Sequence, residues 1–410
     1  MDKILTKNIA PSNEEIIIVK AKGSVLWDKK GKDYIDFSSQ TLNLNLGQSH
    51  PLLISAAKRQ LAKYSFLSSR FMSTPFLNLA KTLVRLAPKG LTKVNLKLTN
   101  GSDANESAFK RARKYHKKPT IVSFYFSHLG ETSETISASG KHFKNRSYIG
   151  GSQCFAFFHP PHPDFIPSAK SIAEAERASL TELSELLEKR GDICGVIVEP
   201  IMVNAGVYVL SPSYLKSLRG LCTRCNVALI FDEVQTAFGW LGTFFAADKA
   251  GVTPDILTVG KALASGFPLA AVLMKEKYDV LEYGEDEFTY GGHPVSCAVA
   301  LKNIEILEKM NLAETVLEKE TFIKNLLYGL KNDYPFIKEV RGTGLIWVID
   351  FDEKKSPRSA SEIYDRAIKN GLILRKSKDG EGSALVIKPA VTVSFEELTE
   401  GFKRFRKAIE

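Results

Sequence analysis

The sequence predicts an α/β protein, with a mostly parallel central sheet flanked by helices and a smaller α+β domain built from both chain ends. From about residue 50 to 300, short apolar stretches alternate with amphipathic helical patterns. Strand patterns precede this region, and further strand and helix patterns follow it. Such alternation is typical of parallel strands joined by crossover helices.

The predicted elements of the first 300 residues follow in chain order. Three short strands are expected at 16–19, 24–27 and 34–37, with a turn at 28–32. The strand candidates of the large domain are 94–98, 120–124, 195–198 and 228–231. Helical patterns fill many of the gaps, for example 179–189. We expect an N-terminal segment of the small domain at 1–48 and a large cofactor-binding domain at 49–300.

The remaining residues, 301–410, are expected to complete the small domain. One long helical pattern runs from about 294 to 333. Strand and helix patterns then alternate at 344–351, 359–369, 372–375 and 384–387. The last helix begins with a capping box, in which Ser394 is followed three residues later by Glu397.

Composition narrows the class of protein. The 410 residues are 44% hydrophobic and 25% charged, which is ordinary for a globular protein and long enough for two domains. No apolar run reaches the roughly 20 residues that span a bilayer, and residues 1–7 lack the apolar core of a signal peptide. The five cysteines are scattered and odd in number, which suits a reducing compartment. We therefore expect a cytoplasmic protein with no membrane partner.

Two features invite a different function. Cys222 and Cys225 form a CxxC pair, but they lie in a helical stretch with no second ligand pair, so no metal is expected. The net charge of +10 is dispersed, and its densest clusters lie between 110 and 118. We interpret these clusters as a solvated helix face or as an attraction for small anions, and expect no nucleic-acid partner.

Four segments carry candidate chemistry. Gly101 and Ser102 follow a strand and open a helix, so they form either a phosphate site or a plain turn with a capping serine. Asp232 and Glu233 stand at a strand end, where α/β proteins bind ligands, although a helix cap or a metal ligand fits equally. These residues alone do not separate the alternatives.

Taken singly, the other two segments favour a structural role over a chemical one. Lys261 lies in an apolar setting that would ease its deprotonation for Schiff-base chemistry, yet an isolated lysine can also extend to the surface. Thr289 precedes a glycine turn and a helix, which is either a second anion site or a simple turn.

Taken together, in their order along nearly the whole chain, the segments resemble the class III (omega-type) aminotransferases among the fold-type-I pyridoxal-phosphate enzymes. The resemblance is carried by Trp27-Asp28, residues 31–36, Gly47 with His50-Pro51, residues 101–106, Glu199-Pro200, residues 232–235, Gly260-Lys261, Thr289 with Gly291-Gly292, and residues 341–344. It implies a pyridoxal-phosphate-dependent aminotransferase that works by a ping-pong mechanism.

The resemblance also implies roles for individual residues. Lys261 binds the cofactor covalently as an imine and later moves a proton between substrate and cofactor carbons. Asp232 pairs with the pyridine nitrogen and keeps it cationic. The remaining cofactor-binding residues are then Val234 on a ring face, Gln235 at the ring hydroxyl, Glu199 near the cofactor, and Gly101 and Ser102 at the phosphate, joined by Thr289 from the neighbouring subunit of a homodimer.

The sequence departs from the family pattern at the substrate end of the expected site. Alignment on Gly130 and Thr132 places His128 where the family has an aromatic residue stacked on the cofactor, whereas alignment on the histidine would leave Ser127 there. We prefer the first alignment, which makes His128 a further expected cofactor-binding residue. Asn204 and Val386 occupy the positions of a glutamate and an arginine that together handle an α-carboxylate. Lys388 and Arg375 are possible substitutes that the sequence alone does not locate.

These departures set the functional expectation. We expect amino transfer between an amine or amino acid and a keto acid or aldehyde, with the two substrates left unnamed. A racemase, epimerase or aminomutase on the same scaffold is the first alternative, because it would need the same lysine and aspartate. A binding protein without catalysis is the second.

Overall fold

The computed structural model describes residues 16–68, 70–140, 154–377 and 384–410. The first 15 residues of the predicted N-terminal segment lie outside the described residues. The strands are β1 Ile18–Lys22, β2 Val25–Asp28, β3 Asp33–Asp36, β4 Lys93–Leu98, β5 Thr120–Phe124, β6 Phe155–Phe158, β7 Ile193–Val198, β8 Ile201–Met202, β9 Tyr208–Val209, β10 Ala228–Asp232, β11 Ile256–Val259, β12 Ala270–Met274, β13 Ile337–Thr343, β14 Ile346–Phe351, β15 Leu372–Ile373, β16 Arg375–Lys376 and β17 Ala384–Ile387.

The helices surround these strands and connect most of them. They are α1 Pro51–Leu61, α2 Thr74–Leu86, α3 Gly101–His116, α4 Ser133–Ala138, α5 Ile172–Lys189, α6 Pro212–Arg224, α7 Ala246–Ala250, α8 Pro294–Lys309, α9 Leu312–Asp333, α10 Ala360–Lys369 and α11 Phe395–Ile409. Of the helices in the described part of the chain, none combines the length and apolar composition needed to cross a membrane.

The central sheet has seven strands in the order β4-β12-β11-β10-β7-β5-β6. Strand β12 is antiparallel to both of its neighbours, and the other pairs are parallel. Every residue of β7 and β10 is buried, as expected of strands covered by helices on both faces. The mostly parallel sheet predicted from the alternating pattern is therefore confirmed.

The chain ends form two four-stranded sheets, and one of these combines strands from both ends. One has the order β1-β2-β3-β15, in which Ile35 of β3 pairs in parallel register with Leu372 of β15. The other, β13-β14-β17-β16, is antiparallel throughout. Strands from opposite ends of the chain thus share a sheet, while the boundaries at residues 48 and 300 stay a prediction.

Two predicted elements were wrong in extent. The expected helix from 294 to 333 is two helices, because Met310 adopts an extended conformation (φ −82°, ψ 140°) and Asn311 starts α9. The expected strand 372–375 divides at Leu374 into β15 and β16, which belong to different sheets. In both cases the interruption covers only one or two residues, and the flanking residues keep the predicted type of structure.

A left-handed turn follows β3. Residues Ser39 to Leu42 have φ values of 46°, 47°, 65° and 62°, which non-glycine residues rarely adopt in succession. The Ser39 hydroxyl donates a 2.7 Å hydrogen bond to the carbonyl oxygen of Lys388, just beyond β17. The turn is therefore anchored to the C-terminal part of the chain.

Candidate active site

The carboxyl ends of the parallel strands surround a cavity of about 400 Å³. Segments following β4, β5, β10 and β11 line it, and this edge is where α/β sheets bind ligands. Its lining residues are Asn43, Thr99, Asn100, Gly101, Ser102, Asn105, His128, Leu129, Gly130, Glu131, Asp232, Val234, Gln235, Lys261, Gly266, Phe267, Pro268 and Leu269. Seven of the nine predicted site residues thus meet at one place.

Asp232 is the last residue of β10 and is buried. Its carboxylate accepts hydrogen bonds from Asn105 Nδ2 (2.7 Å) and from the backbone N–H of Val234 (2.9 Å). Burial raises the pKa of Asp232, whereas these hydrogen bonds and the charge of Lys261 act in the opposite direction. A cationic ligand group in the cavity would therefore further favour the ionised form of this buried carboxylate.

Lys261 begins a 3₁₀ turn, Lys261–Ala264, immediately after β11. Its own φ is 40°, in the left-handed region, so the backbone is held away from a continuing strand. The buried Asn303 fixes the turn by donating to the carbonyl oxygens of Ala262 (2.8 Å) and Leu263 (3.2 Å). Because β10 and β11 are adjacent and parallel, Lys261 and Asp232 lie at the same sheet edge.

The N-terminus of α3 forms another wall. Asn100 caps the helix by accepting from the backbone N–H groups of Ser102 (2.9 Å) and Asp103 (3.2 Å). The Ser102 hydroxyl accepts from the backbone N–H of Glu131 (3.0 Å). This helix start directs the positive end of its dipole at the cavity, which suits an anion.

Glycine is required at position 101 by close packing. A β-carbon placed there would lie 2.8 Å from Cγ1 of Val234. The backbone of the helix start and the Val234 side chain therefore close off the cavity together, leaving no room for a methyl group between them.

His128 and Glu199 come from neighbouring strand ends, after β5 and β7. The backbone N–H of His128 donates to Oε1 of the buried Glu199 at 3.0 Å. His128 lines the cavity, whereas Ser127 is buried outside the described lining. Of these two residues His128 therefore reaches the cavity, and its stacking role stays a prediction. Glu199 therefore holds the backbone of the loop that follows β5.

Three other residues singled out from the sequence lie elsewhere. Thr289 is exposed and is not among the described residues that line the cavity of its own chain. Asn204 is buried between β8 and β9, and Val386 is buried in β17. Val386 is paired across the sheet with Arg375.

Sequence reasoning gave no role to Asn105, although it holds the carboxylate of Asp232. Asn105 is 1% exposed on α3, its Nδ2 also donates to the Leu129 carbonyl oxygen (2.7 Å), and its Oδ1 accepts from Thr258 Oγ1 (2.8 Å). An asparagine on the buried face of a helix needs such partners. The sequence feature that could have identified Asn105 is therefore its position among Ala104, Ser107 and Ala108, all of which are buried.

The comparisons with known proteins all identify aminotransferases. The family model described as "Aminotransferase class-III" matches residues 8–409. The chain is 33% identical to an acetylornithine/succinyldiaminopimelate aminotransferase of Buchnera aphidicola over 96% of this chain and 92% of that protein. It is also 33% identical to an acetylornithine aminotransferase of Methanocaldococcus jannaschii, over 89% and 86% of the two chains.

Solved structures give the same result. An omega-aminotransferase from Paracoccus denitrificans superposes with a TM-score of 0.90 at 26% identity, over 99% of this chain and 96% of that one. A taurine:2-oxoglutarate aminotransferase from Bifidobacterium kashiwanohense, in complex with pyridoxal phosphate and glutamate, gives a TM-score of 0.87 at 27% identity, over 96% and 92%.

Proposed function

The chain belongs to the class III aminotransferase family, and from this premise we propose that it uses pyridoxal 5′-phosphate bound in the 400 Å³ cavity. Members of the family are pyridoxal-phosphate-dependent enzymes, and the chain has the fold-type-I architecture expected from its sequence. The proposal concerns which residues hold the cofactor and what each of them does.

The observation that carries the proposal is the meeting of Asp232 and Lys261 at adjacent strand ends in one cavity. A buried carboxylate, a lysine amine and a helix N-terminus are three different partners. They match the three polar parts of pyridoxal phosphate, which are the protonated ring nitrogen, the aldehyde and the phosphate. The donor set therefore fits the cofactor.

When bound, the cofactor supplies an aldehyde that takes up the amino group and a cationic ring that withdraws electrons from the substrate carbon. The protein supplies the rest. Asp232, oriented by Asn105, holds the proton on the ring nitrogen. Val234, which packs against Gly101, would contact one ring face, and Gln235 would reach the ring hydroxyl.

On the opposite side of the ring, we assign His128 to the stacking position, with Glu199 holding its backbone. Gly101 and Ser102 bind the phosphate at the start of α3. Lys261 Nζ would hold the cofactor covalently, and its freed amine would move the proton from the substrate carbon to the cofactor carbon. The substrates are an amine or amino acid and a keto acid or aldehyde.

A homodimer completes the proposed site. Thr289 is exposed next to Tyr290, which is 65% exposed and contacts the ring of Phe66 at a centroid distance of 5.8 Å. Phe71 and Met72 are 64% and 60% exposed, so large apolar side chains lie open on the isolated chain. These features support burial against a second copy, with Thr289 reaching the partner's phosphate.

Mixed dimers test this arrangement. If Thr289 acts on the partner's site, combining Lys261→Ala with Thr289→Asp subunits creates one site that carries neither change. Mixing two inactive proteins should then restore activity. If Thr289 acts within its own subunit, every site carries one defect and the mixture stays inactive.

We also infer a cytoplasmic location. All five cysteines are free thiols, as expected in a reducing compartment. Fractionation of cells that express the chain would test it, since recovery outside the cytoplasm contradicts the inference.

The chemical step is tested by following the cofactor spectrum of the holoenzyme with candidate amines. Amino transfer predicts conversion of the cofactor to its pyridoxamine form in a single half-reaction. Exchange of the substrate α-hydrogen with solvent, without pyridoxamine accumulation, would instead indicate racemisation. Absence of any spectral change over a broad panel of amines would contradict catalysis.

A further inference from the structure

A second lysine is buried near the proposed cofactor site. Lys388 follows β17 and is 1% exposed. Its backbone N–H donates to the carbonyl oxygen of Phe37 (2.7 Å), and its carbonyl oxygen accepts from Ser39 Oγ (2.7 Å). The position of its backbone is therefore fixed from two sides. No carboxylate of the described residues forms an ion pair with its ammonium group.

Arg375 is the neighbouring cation. It lies in β16 directly across from Val386, so its side chain projects from the same face of the sheet as that residue. It lines a second cavity of about 620 Å³ together with Ser38, Gln40 and Thr41. Within residues 16–68, 70–140, 154–377 and 384–410, Arg375 also has no carboxylate in an ion pair.

The charges around Lys388 are mostly of its own sign. Burial lowers the pKa of Lys388 well below its usual range, and the charges of Arg375 and Lys261 lower it further. Asp36 is the acid that opposes this shift. The Asp36 carboxylate, however, already accepts hydrogen bonds from the backbone N–H groups and side chains of Ser38 and Gln40.

The left-handed turn links the two cavities. Gln40 and Thr41 line the larger cavity, and Asn43, one residue beyond the turn, lines the cavity that contains Lys261. Four consecutive residues in the left-handed region are strained, and such strain persists where the surrounding structure requires it. The turn thus provides polar side chains to the larger cavity, where Gln40 and Thr41 line the same space as Arg375.

A buried lysine and a half-buried arginine, neither of them in an ion pair with a carboxylate, suit an anion, because a bound carboxylate would favour the protonated form of Lys388 and offset the charge of Arg375. We propose that Lys388 and Arg375 bind a carboxylate of the amino donor or acceptor while its reacting end faces Lys261. The identity of the anion rests on the proposed function. The observation that Lys388 and Arg375 lack carboxylate partners does not depend on it. Such binding makes the two residues determinants of substrate specificity.

Direct binding tests the site without catalysis. The holoenzyme is titrated with acetate, succinate and glutarate, which carry carboxylates but no amine. We expect at least one to bind, and either Lys388→Met or Arg375→Met to raise its Kd about tenfold or more. Lys388→Arg keeps the positive charge and should retain most of the affinity.

The matched control is Lys319→Met. Lys319 is also a buried lysine, but its Nζ donates to the carbonyl oxygen of Val391 (2.5 Å) rather than serving an open site. This variant should bind carboxylates like the parent protein. Equal weakening by Lys388→Met and Lys319→Met would show a general packing effect and overturn the proposal.

Other outcomes of the titration also overturn it. The proposal is wrong if the parent protein binds none of the three carboxylates. It is also wrong if the protein binds methanesulfonate or inorganic phosphate instead of them. Unchanged affinity in both methionine variants would likewise overturn the proposal. None of these results bears on amino transfer, which the cofactor spectrum tests separately.

A matched pair of donors adds a readout of specificity. 4-Aminobutyrate and n-butylamine differ by a carboxylate at the end of the chain. In Lys388→Met and Arg375→Met, the ratio of their half-reaction rate constants should shift about tenfold towards n-butylamine. A parallel loss for both amines would indicate damage to the cofactor site and contradict the assignment.

Discussion

Asn105 Nδ2 donates a 2.7 Å hydrogen bond to Oδ2 of Asp232, joining the first helix of the cavity to the end of β10. The same asparagine accepts from Thr258 Oγ1 (2.8 Å), on the next strand of the sheet. Because both of its amide atoms are engaged, the side chain has one orientation, and so does the carboxylate it contacts. Asn105 is therefore a positioning residue for Asp232.

Asn105→Asp tests this relationship. The change keeps the size of the side chain but places a second acid against Asp232, so that one of the two acids is protonated and the charge available to a ring nitrogen falls. We expect the Kd for pyridoxal phosphate to rise about tenfold or more. Spectroscopic titration of the apoprotein with the cofactor measures it.

Asn45→Asp is the control for this prediction. Asn45 is also fully buried, and its Nδ2 donates to the carbonyl oxygen of Phe238 (3.0 Å) away from Asp232. Both variants should lose stability, but only Asn105→Asp should lose cofactor affinity and alter the cofactor spectrum. Equal affinities in the two variants would refute the positioning role.

The close approach of Gly101 and Val234 predicts a non-additive pair of substitutions. Gly101→Ala places a β-carbon 2.8 Å from Val234 Cγ1 and should destabilise the protein by about 1–3 kcal/mol. In a Val234→Ala background the methyl group has room, so the same change should be nearly neutral. Thermal unfolding of the four proteins gives the coupling, and additive effects would contradict the contact.

Glu233 predicts a dependence of stability on pH. Its carboxylate accepts from the N–H groups of Ala246 (2.5 Å) and Ala247 (2.8 Å), but burial raises its pKa to about 7. A raised folded-state pKa favours the protonated form, so this contribution is present below about pH 4.5 and is lost as the pH rises through about 7.

The matching measurement compares Glu233→Gln with the parent protein. Glutamine cannot ionise, so the loss of stability between pH 5 and pH 8 should be smaller in the variant, by up to about 3 kcal/mol. Tm values at several pH values report it. Parallel pH profiles for the two proteins would show that Glu233 does not titrate in this range.

Lys388→Met predicts opposite effects on stability and on carboxylate binding. Replacing a buried amine that lacks a carboxylate partner by an apolar side chain should stabilise the ligand-free protein by about 1–3 kcal/mol. Lys319→Met should instead lower the Tm, because the Val391 carbonyl oxygen loses its donor. Thermal denaturation at one scan rate tests both. A fall in Tm for Lys388→Met would show that the buried amine does not destabilise the ligand-free protein.

Much of the sheet could be predicted because the signal is local. Strands such as β7 and β10 are apolar throughout and separated by amphipathic helices, so their type and parallel direction follow from the pattern. The break between α8 and α9 also had a local signal, since Asn311 precedes Glu314 by three residues. The apolar pattern continues through both helices, so the break between them was not predicted.

The rest depended on contacts between distant parts of the chain. The hydrogen bond from Asn105 to Asp232 spans 127 residues, and the one from Ser39 to Lys388 spans 349. Arg375 stands beside Val386 only because β16 pairs with β17 in a particular register. No motif encodes such pairings, so the substrate end of the site required the structure.

The most direct test of the central assignment is to locate the covalent attachment. The holoenzyme is reduced with borohydride, digested and analysed by mass spectrometry. The account predicts a pyridoxyl-phosphate group on Lys261, and none in Lys261→Ala. Attachment to Lys388 or to any further lysine would contradict it.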